Sequence, residues 1–149
     1  MNENTTRMAA AHPAEAKEHF SDMVKLQMSG TKFMSDDKER ALLQDGLRYG
    51  LRLDQARGMV RGEAEERNCT LQRDVDEAAT FMLKTFADAK GRVKRADFER
   101  VVGFYSTRAE GAMSASEVNS RVKEIMEQNQ LTPRRAGLLR TKRWYTRIK

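Results

Sequence analysis

Seven basic residues crowd the end of the chain: Arg134, Arg135, Arg140, Lys142, Arg143, Arg147 and Lys149, with no acidic residue from Pro133 onward. Guanidinium and ammonium groups at that density bind anions, and arginine carries a planar fork that matches carboxylate and phosphate oxygens. Trp144 and Tyr145 stand among them as rings that can dock or stack. Residues 1–132 hold 21 basic against 22 acidic residues, so the formal net charge of +6 belongs to this end. Such asymmetry points to a specific electrostatic partner, where a uniformly basic surface would point to diffuse binding.

Catalytic chemistry has no comparable set. Both histidines, His12 and His19, fall near the N-terminus, where the geometry of a nucleophile and its base is not held. Glu15 and His19 share a helical spacing but enclose no metal site. The single cysteine, Cys69, reads as a buried, inert thiol and fits a reducing compartment. No glycine run followed by Lys and Ser or Thr is present to cradle phosphates. Nothing selects a working pair from carboxylates such as Asp74, Glu77 and Asp97. The chain is therefore read as non-enzymatic, without catalytic, cofactor or metal residues. No apolar run is long enough for a membrane span, and the expected setting is soluble and cytoplasmic.

The elements that must position the basic end are helices. Leu, Ile, Val and Phe make up only 27 of 149 residues, a lean core supplemented by nine Met and many Ala. Pro13 suits a first turn, followed by Phe20, Met23, Val24 and Leu26. Ser35, with Asp36 and Asp37, opens a helix carrying Ala41, Leu42, Leu43, Leu47 and Tyr49. Asp54 caps the next, through Ala56, Met59, Val60 and Ala64, in which Gly58 and Gly62 suggest close approach of a neighbour or, failing that, a local bend. Thr70 caps the helix with the clearest period, Leu71, Val75, Ala78, Ala79, Met82 and Phe86. After Gly91 a helix from about Arg95 carries Phe98, Val101, Val102 and Tyr105 before a polar connection at 106–113. Ser114 and Glu117 form a capping box ahead of Val118, Val122, Ile125 and Met126. Two helix openings, at Gly50–Asp54 and Gly111–Ser114, recur at an offset of 60 or 61 residues, the mark a duplicated unit would leave.

Phe86, Asp88, Gly91, Val93, Asp97 and Phe98 resemble the helix-loop-helix of the EF-hand family. In that family a glycine makes the sharp turn, an aliphatic residue two places on pairs with a second loop, and an acidic residue six places after the glycine closes the site. The resemblance covers residues 86–98. Of the other ligand positions only Asp88 is suitable, since Phe86 and Lys90 occupy two more and an ammonium opposes a cation. The resemblance thus implies a degenerate helix-loop-helix used for packing or partner binding, with a divalent-cation sensor on Asp88 and Asp97 as the weakest of the functional readings.

Thr132–Pro133 reads as another helix start, so the basic end is expected to be an amphipathic helix to about Tyr145. Leu138, Trp144, Tyr145 and Ile148 then share a stripe about 120° wide at 100° per residue, with cations on its flanks. Such a helix can dock on the protein's own acidic run, Glu63, Glu65, Glu66, Asp74, Asp76 and Glu77. Its external partners are an acidic protein surface first, nucleic-acid phosphates second and an anionic membrane third. The expected architecture is all-α: a single compact bundle of six or seven short helices, with a disordered N-terminus at 1–12, a helical domain at 13–132 and a basic C-terminal helix or tail at 133–149. The expected function is that of a helical adaptor or regulatory module, with Arg134, Arg135, Arg140, Lys142, Arg143, Trp144, Tyr145 and Arg147 at its binding surface. The alternative is a nucleic-acid-binding protein holding phosphates through the same segment.

Overall fold

The computed structural model describes residues 12–149. The N-terminal segment expected to be disordered therefore lies outside the described residues, His12 excepted. The architecture is all-α, with seven helices among the described residues and extended segments of only two residues each. The chain divides after Cys69 into two compact units.

In the first unit Pro13 opens α1 (Pro13–Met28), where its missing N–H leaves no intrahelical bond unmade. Ala16, Phe20, Val24 and Met28, four residues apart, form its buried face. A short extended β1 (Phe33–Met34) leads to α2 (Asp36–Arg48), capped by Ser35, whose hydroxyl accepts the Lys38 N–H at 3.4 Å. In α3 (Leu53–Glu66) the cap differs from the expected Asp54: Gln55 Oε1 takes the Arg52 N–H at 3.1 Å. Both α1 and α2 pack on α3. Their close approach rests on Gly46, where a Cβ would lie 3.0 Å from the Phe20 ring and 3.1 Å from the Ala56 methyl. Gly58 and Gly62, expected in that role, have nothing within 4 Å of where a Cβ would stand. Leu26, Leu47 and Tyr49, assigned to apolar stripes, are exposed.

The second unit begins with β2 (Thr70–Leu71), so Thr70 extends the chain where a cap was expected. It continues through α4 (Gln72–Phe86), β3 (Arg92–Val93), α5 (Arg95–Ala109), α6 (Ala115–Gln128), β4 (Thr132–Pro133) and α7 (Arg143–Thr146). Helices α4, α5 and α6 pack on one another around Val75, Ala79, Leu83, Phe98, Val101, Tyr105, Val118, Val122 and Met126. Each large apolar side chain buried here contributes about 1.5–3 kcal/mol relative to exposure. The connection expected at 106–113 is shorter, because α5 runs on to bury Ala109 and stops where Glu110 turns left-handed at φ +47°. The capping box forms as expected: Glu117 N–H donates to Ser114 Oγ at 3.2 Å, and Ser114 N–H to Glu117 Oε2 at 2.6 Å. One polar network ties the three helices. Asp76 accepts the Tyr105 hydroxyl at 2.7 Å and two Arg121 nitrogens at 3.2 and 2.5 Å.

One element order occurs twice along the chain: helix, short extended segment, helix, helix, short extended segment. Ala16, Phe20 and Val24 of α1 correspond to Val75, Ala79 and Leu83 of α4, 59 residues later. Glu39, Leu42 and Gly46 of α2 correspond to Phe98, Val101 and Tyr105 of α5 at the same offset. For α3 and α6 the offset is 62, pairing Ala56, Val60 and Ala64 with Val118, Val122 and Met126. The three extra residues lie in the longer α5 and its connection, which is why no single offset near 60 aligns the whole repeat.

Candidate anion-binding site

The basic end does not form the expected amphipathic helix. Pro133 is buried in β4, which pairs in parallel with β3 in the register Arg92 with Thr132 and Val93 with Pro133. Thr132 N–H donates to Gly91 O at 2.9 Å and Arg134 N–H to Val93 O at 2.8 Å. The chain then makes a hairpin: Ala136 and Thr141 exchange backbone bonds at 2.9 and 3.1 Å across a loop that turns at Gly137 and Arg140, both with positive φ. A left-handed residue at each end of a four-residue loop stops helix propagation. Only α7, a single turn, is helical.

That last turn docks on α5 and α6 through Phe98, Ser120, Lys123 and Glu127, none of them in the acidic run expected to receive it. The rings of Trp144 and Tyr145 meet Phe98 edge-on at centroid distances of 5.3 and 6.3 Å. Trp144 Nε1 donates to Arg134 O at 3.2 Å, and Lys123 Nζ to Ile148 O at 2.8 Å. Ser120 Oγ also bonds the Lys149 carbonyl. Tyr145 is buried with its hydroxyl 3.4 Å from both Lys123 O and a Glu127 carboxylate oxygen. Burial, then the Glu127 charge, pushes this phenol well above its ordinary range. Tyr145 is thus an anchor of the tail, which corrects its assignment to the partner surface.

The hairpin gathers cations. A cleft of about 540 Å³ is lined by Arg92, Pro133, Arg134, Arg135, Arg140 and Lys142, with no carboxylate among them. Among the described residues Arg134, Arg135, Arg140 and Lys142 form no ion pair, whereas Arg48, Arg52, Arg67, Arg95, Arg100 and Arg121 each reach a carboxylate. Leu138 and Leu139 project from the hairpin tip, 104% and 80% exposed. Arg143, Trp144 and Arg147 fall on a second cleft of about 440 Å³, together with Arg95 and its partner Glu99. The eight expected residues therefore separate into a first group of four, a second of three, and the buried Tyr145.

Arg92 escaped the sequence reading. It joins the cleft only because β3 pairs with β4 some forty residues on, a long-range contact that no local pattern announces. Asp88, read as a metal-ligand candidate, holds this arginine in place. Its Oδ1 accepts the N–H groups of Lys90 at 2.9 Å and Arg92 at 3.0 Å, and its Oδ2 accepts Arg92 Nε at 2.8 Å. These bonds, the Arg92 N–H first, hold the Asp88 carboxyl below its usual range. Among the described residues no three His, Cys, Asp or Glu side chains converge as a metal ion requires. Burial pushes the Cys69 thiol up, against a smaller opposing effect of Lys32. His19 Nε2 lies 3.0 Å from the Tyr49 hydroxyl on the exposed side of α1. No described helix is long and apolar enough to cross a membrane.

Comparison with known proteins brings no match to a family model, to a curated protein or to a solved structure.

Proposed function

We propose that this chain is a non-enzymatic binding module whose C-terminal hairpin captures an acidic protein partner. The observation that carries this reading is the joint presence of a carboxylate-free cationic cleft and two exposed leucines on one closed turn. Cations alone suit any polyanion. An apolar tip framed by cations suits a protein surface, where an apolar pocket lies inside a polar, here acidic, rim. The helix-loop-helix of residues 86–98 serves this role by presenting Arg92, with Asp88 spent on orienting it.

The second reading is nucleic-acid binding. It is favoured by the other cleft, which Arg95, Arg143 and Arg147 line together with Trp144. The two readings separate in one experiment. A variant with Arg134, Arg135, Arg140 and Lys142 all changed to Glu is compared with the wild-type chain in affinity capture from extract of the native source, with and without nuclease treatment. Proteins held by the wild type and lost with the variant are the expected result. Retention that disappears on nuclease treatment, with direct oligonucleotide affinity falling steeply as salt rises, would instead establish the second reading.

A further inference from the structure

We infer that the cleft between β3 and the hairpin binds a phosphomonoester, carried as a phosphorylated side chain on the acidic protein partner, a reading on which this assignment rests. Five cationic side chains face one cleft, and only Arg92 has a carboxylate beside it. Neutralising the others calls for concentrated negative charge. A phosphomonoester brings about −1.5 to −2 on three acceptor oxygens at neutral pH, where a carboxylate brings one charge on two.

Arg92 is already set for such a group. Its Nε is bound to Asp88, and Asp88 is itself fixed by two backbone N–H groups of the same loop. The guanidinium is therefore oriented, with its two terminal nitrogens making no hydrogen bond among the described residues. That outer edge is the one that grips phosphate through two parallel bonds. Orientation in advance removes part of the ordering cost of binding. Arg135 and Arg140 flank the backbone bridge of Ala136 and Thr141, so the opposite wall is also anchored. A nucleic-acid phosphodiester fits less well, because it carries one charge per phosphate and Trp144, the ring available for base stacking, lines the other cleft.

The test titrates the full chain with a short peptide carrying one phosphoserine and with its Ser and Glu counterparts. The phosphopeptide is expected to bind roughly ten- to hundredfold more tightly than the Glu peptide, the range of one or two added charge-assisted bonds. Arg92→Lys, which keeps the charge but loses the fork, should remove most of that preference while leaving the melting temperature unchanged. Arg134→Ala with Arg135→Ala should weaken both acidic peptides. The lining groups are Arg92, Arg134, Arg135, Arg140 and Lys142, with Asp88 behind Arg92 and no histidine among them. Affinity should therefore rise as pH passes about 6, where the phosphate takes its second charge. Equal binding of the phosphoserine and Glu peptides would overturn the phosphate assignment and leave the acidic-partner reading standing. Binding of neither would overturn both. Tight binding to phosphatidic-acid vesicles or to a single-stranded oligonucleotide, with none to the phosphopeptide, would overturn a protein source.

Discussion

Where the first unit sets Gly46 against the Phe20 ring, the second carries Tyr105 and Ala79 at the equivalent positions. The large and small residues have changed helices, and the helix order around them is the same. Packing at such a site demands a summed volume more than a particular residue. The polar consequence is confined to one unit. Tyr105 brings a hydroxyl that donates to Asp76, the carboxylate that Arg121 also engages, while the counterparts of Asp76 and Arg121 in the first unit are Lys17 and Met59. Charge divides in the same way: residues 1–69 hold 11 basic and 12 acidic residues, and residues 70–149 hold 17 and 10. The repeated frame holds the packed helices, and the segment without a counterpart, the hairpin and α7, carries the excess positive charge.

The largest expected effects challenge the exchange itself. Phe20→Ala should cost about 3–5 kcal/mol, and Gly46→Tyr should be at least as damaging while Phe20 remains. Together they reproduce the pair of the second unit, so the double variant should lose distinctly less than the sum in denaturant unfolding. Strict additivity would show that the two frames only look alike. Next comes the tail. Removing residues 143–149 unburies Tyr145, much of Trp144 and one side of Phe98, a loss of about 2–4 kcal/mol. Hydrogen exchange should speed up in α5 and α6 and stay as it was in α1 to α3, and an unchanged melting temperature would refute the docking.

Asp76→Asn comes third, at about 1–3 kcal/mol, because it weakens the acceptor shared by Tyr105 and Arg121. Lys17→Ala, at the matching place on α1, should be neutral in the same thermal melt. The smallest effects are at the caps. Ser114→Ala should cost about 1 kcal/mol and exceed Ser35→Ala, which breaks a longer bond outside a reciprocal box. The Ser114 N–H, then its hydroxyl, holds the Glu117 carboxyl below its ordinary range. A lowered folded-state value means that this contribution is complete above the unfolded carboxylate range and is lost as pH falls through the folded value. An NMR titration should show the Glu117 midpoint rising part of the way toward normal in Ser114→Ala.

Much of the frame was legible from local pattern. The Ser35 and Ser114 caps, the start of α5 near Arg95 and the faces of α5 and α6 depend on neighbours three or four residues away. The misplacements have one cause. Leu26, Leu47 and Tyr49 follow helical spacing but lie outside the stripe that meets another helix, and Leu83, left out of the α4 stripe, lies within it. Of the site, the cationic residues were legible as a charge run. Their arrangement was not, since it depends on a two-residue pairing between β3 and β4.

The sequence by itself determined an all-α chain, the places where most helices begin, and the concentration of positive charge at its end, because propensity, capping and net charge are short-range or additive properties. The tertiary structure alone decided that Gly46 is the close-approach glycine, that Tyr145 anchors while Arg92 faces the cleft, and that the basic end turns back as a hairpin. The first two outcomes are contacts between residues far apart in the chain, whose free energy exists only once the helices have brought them together, and the hairpin, though closed locally, is placed by the pairing of β4 with β3 some forty residues earlier.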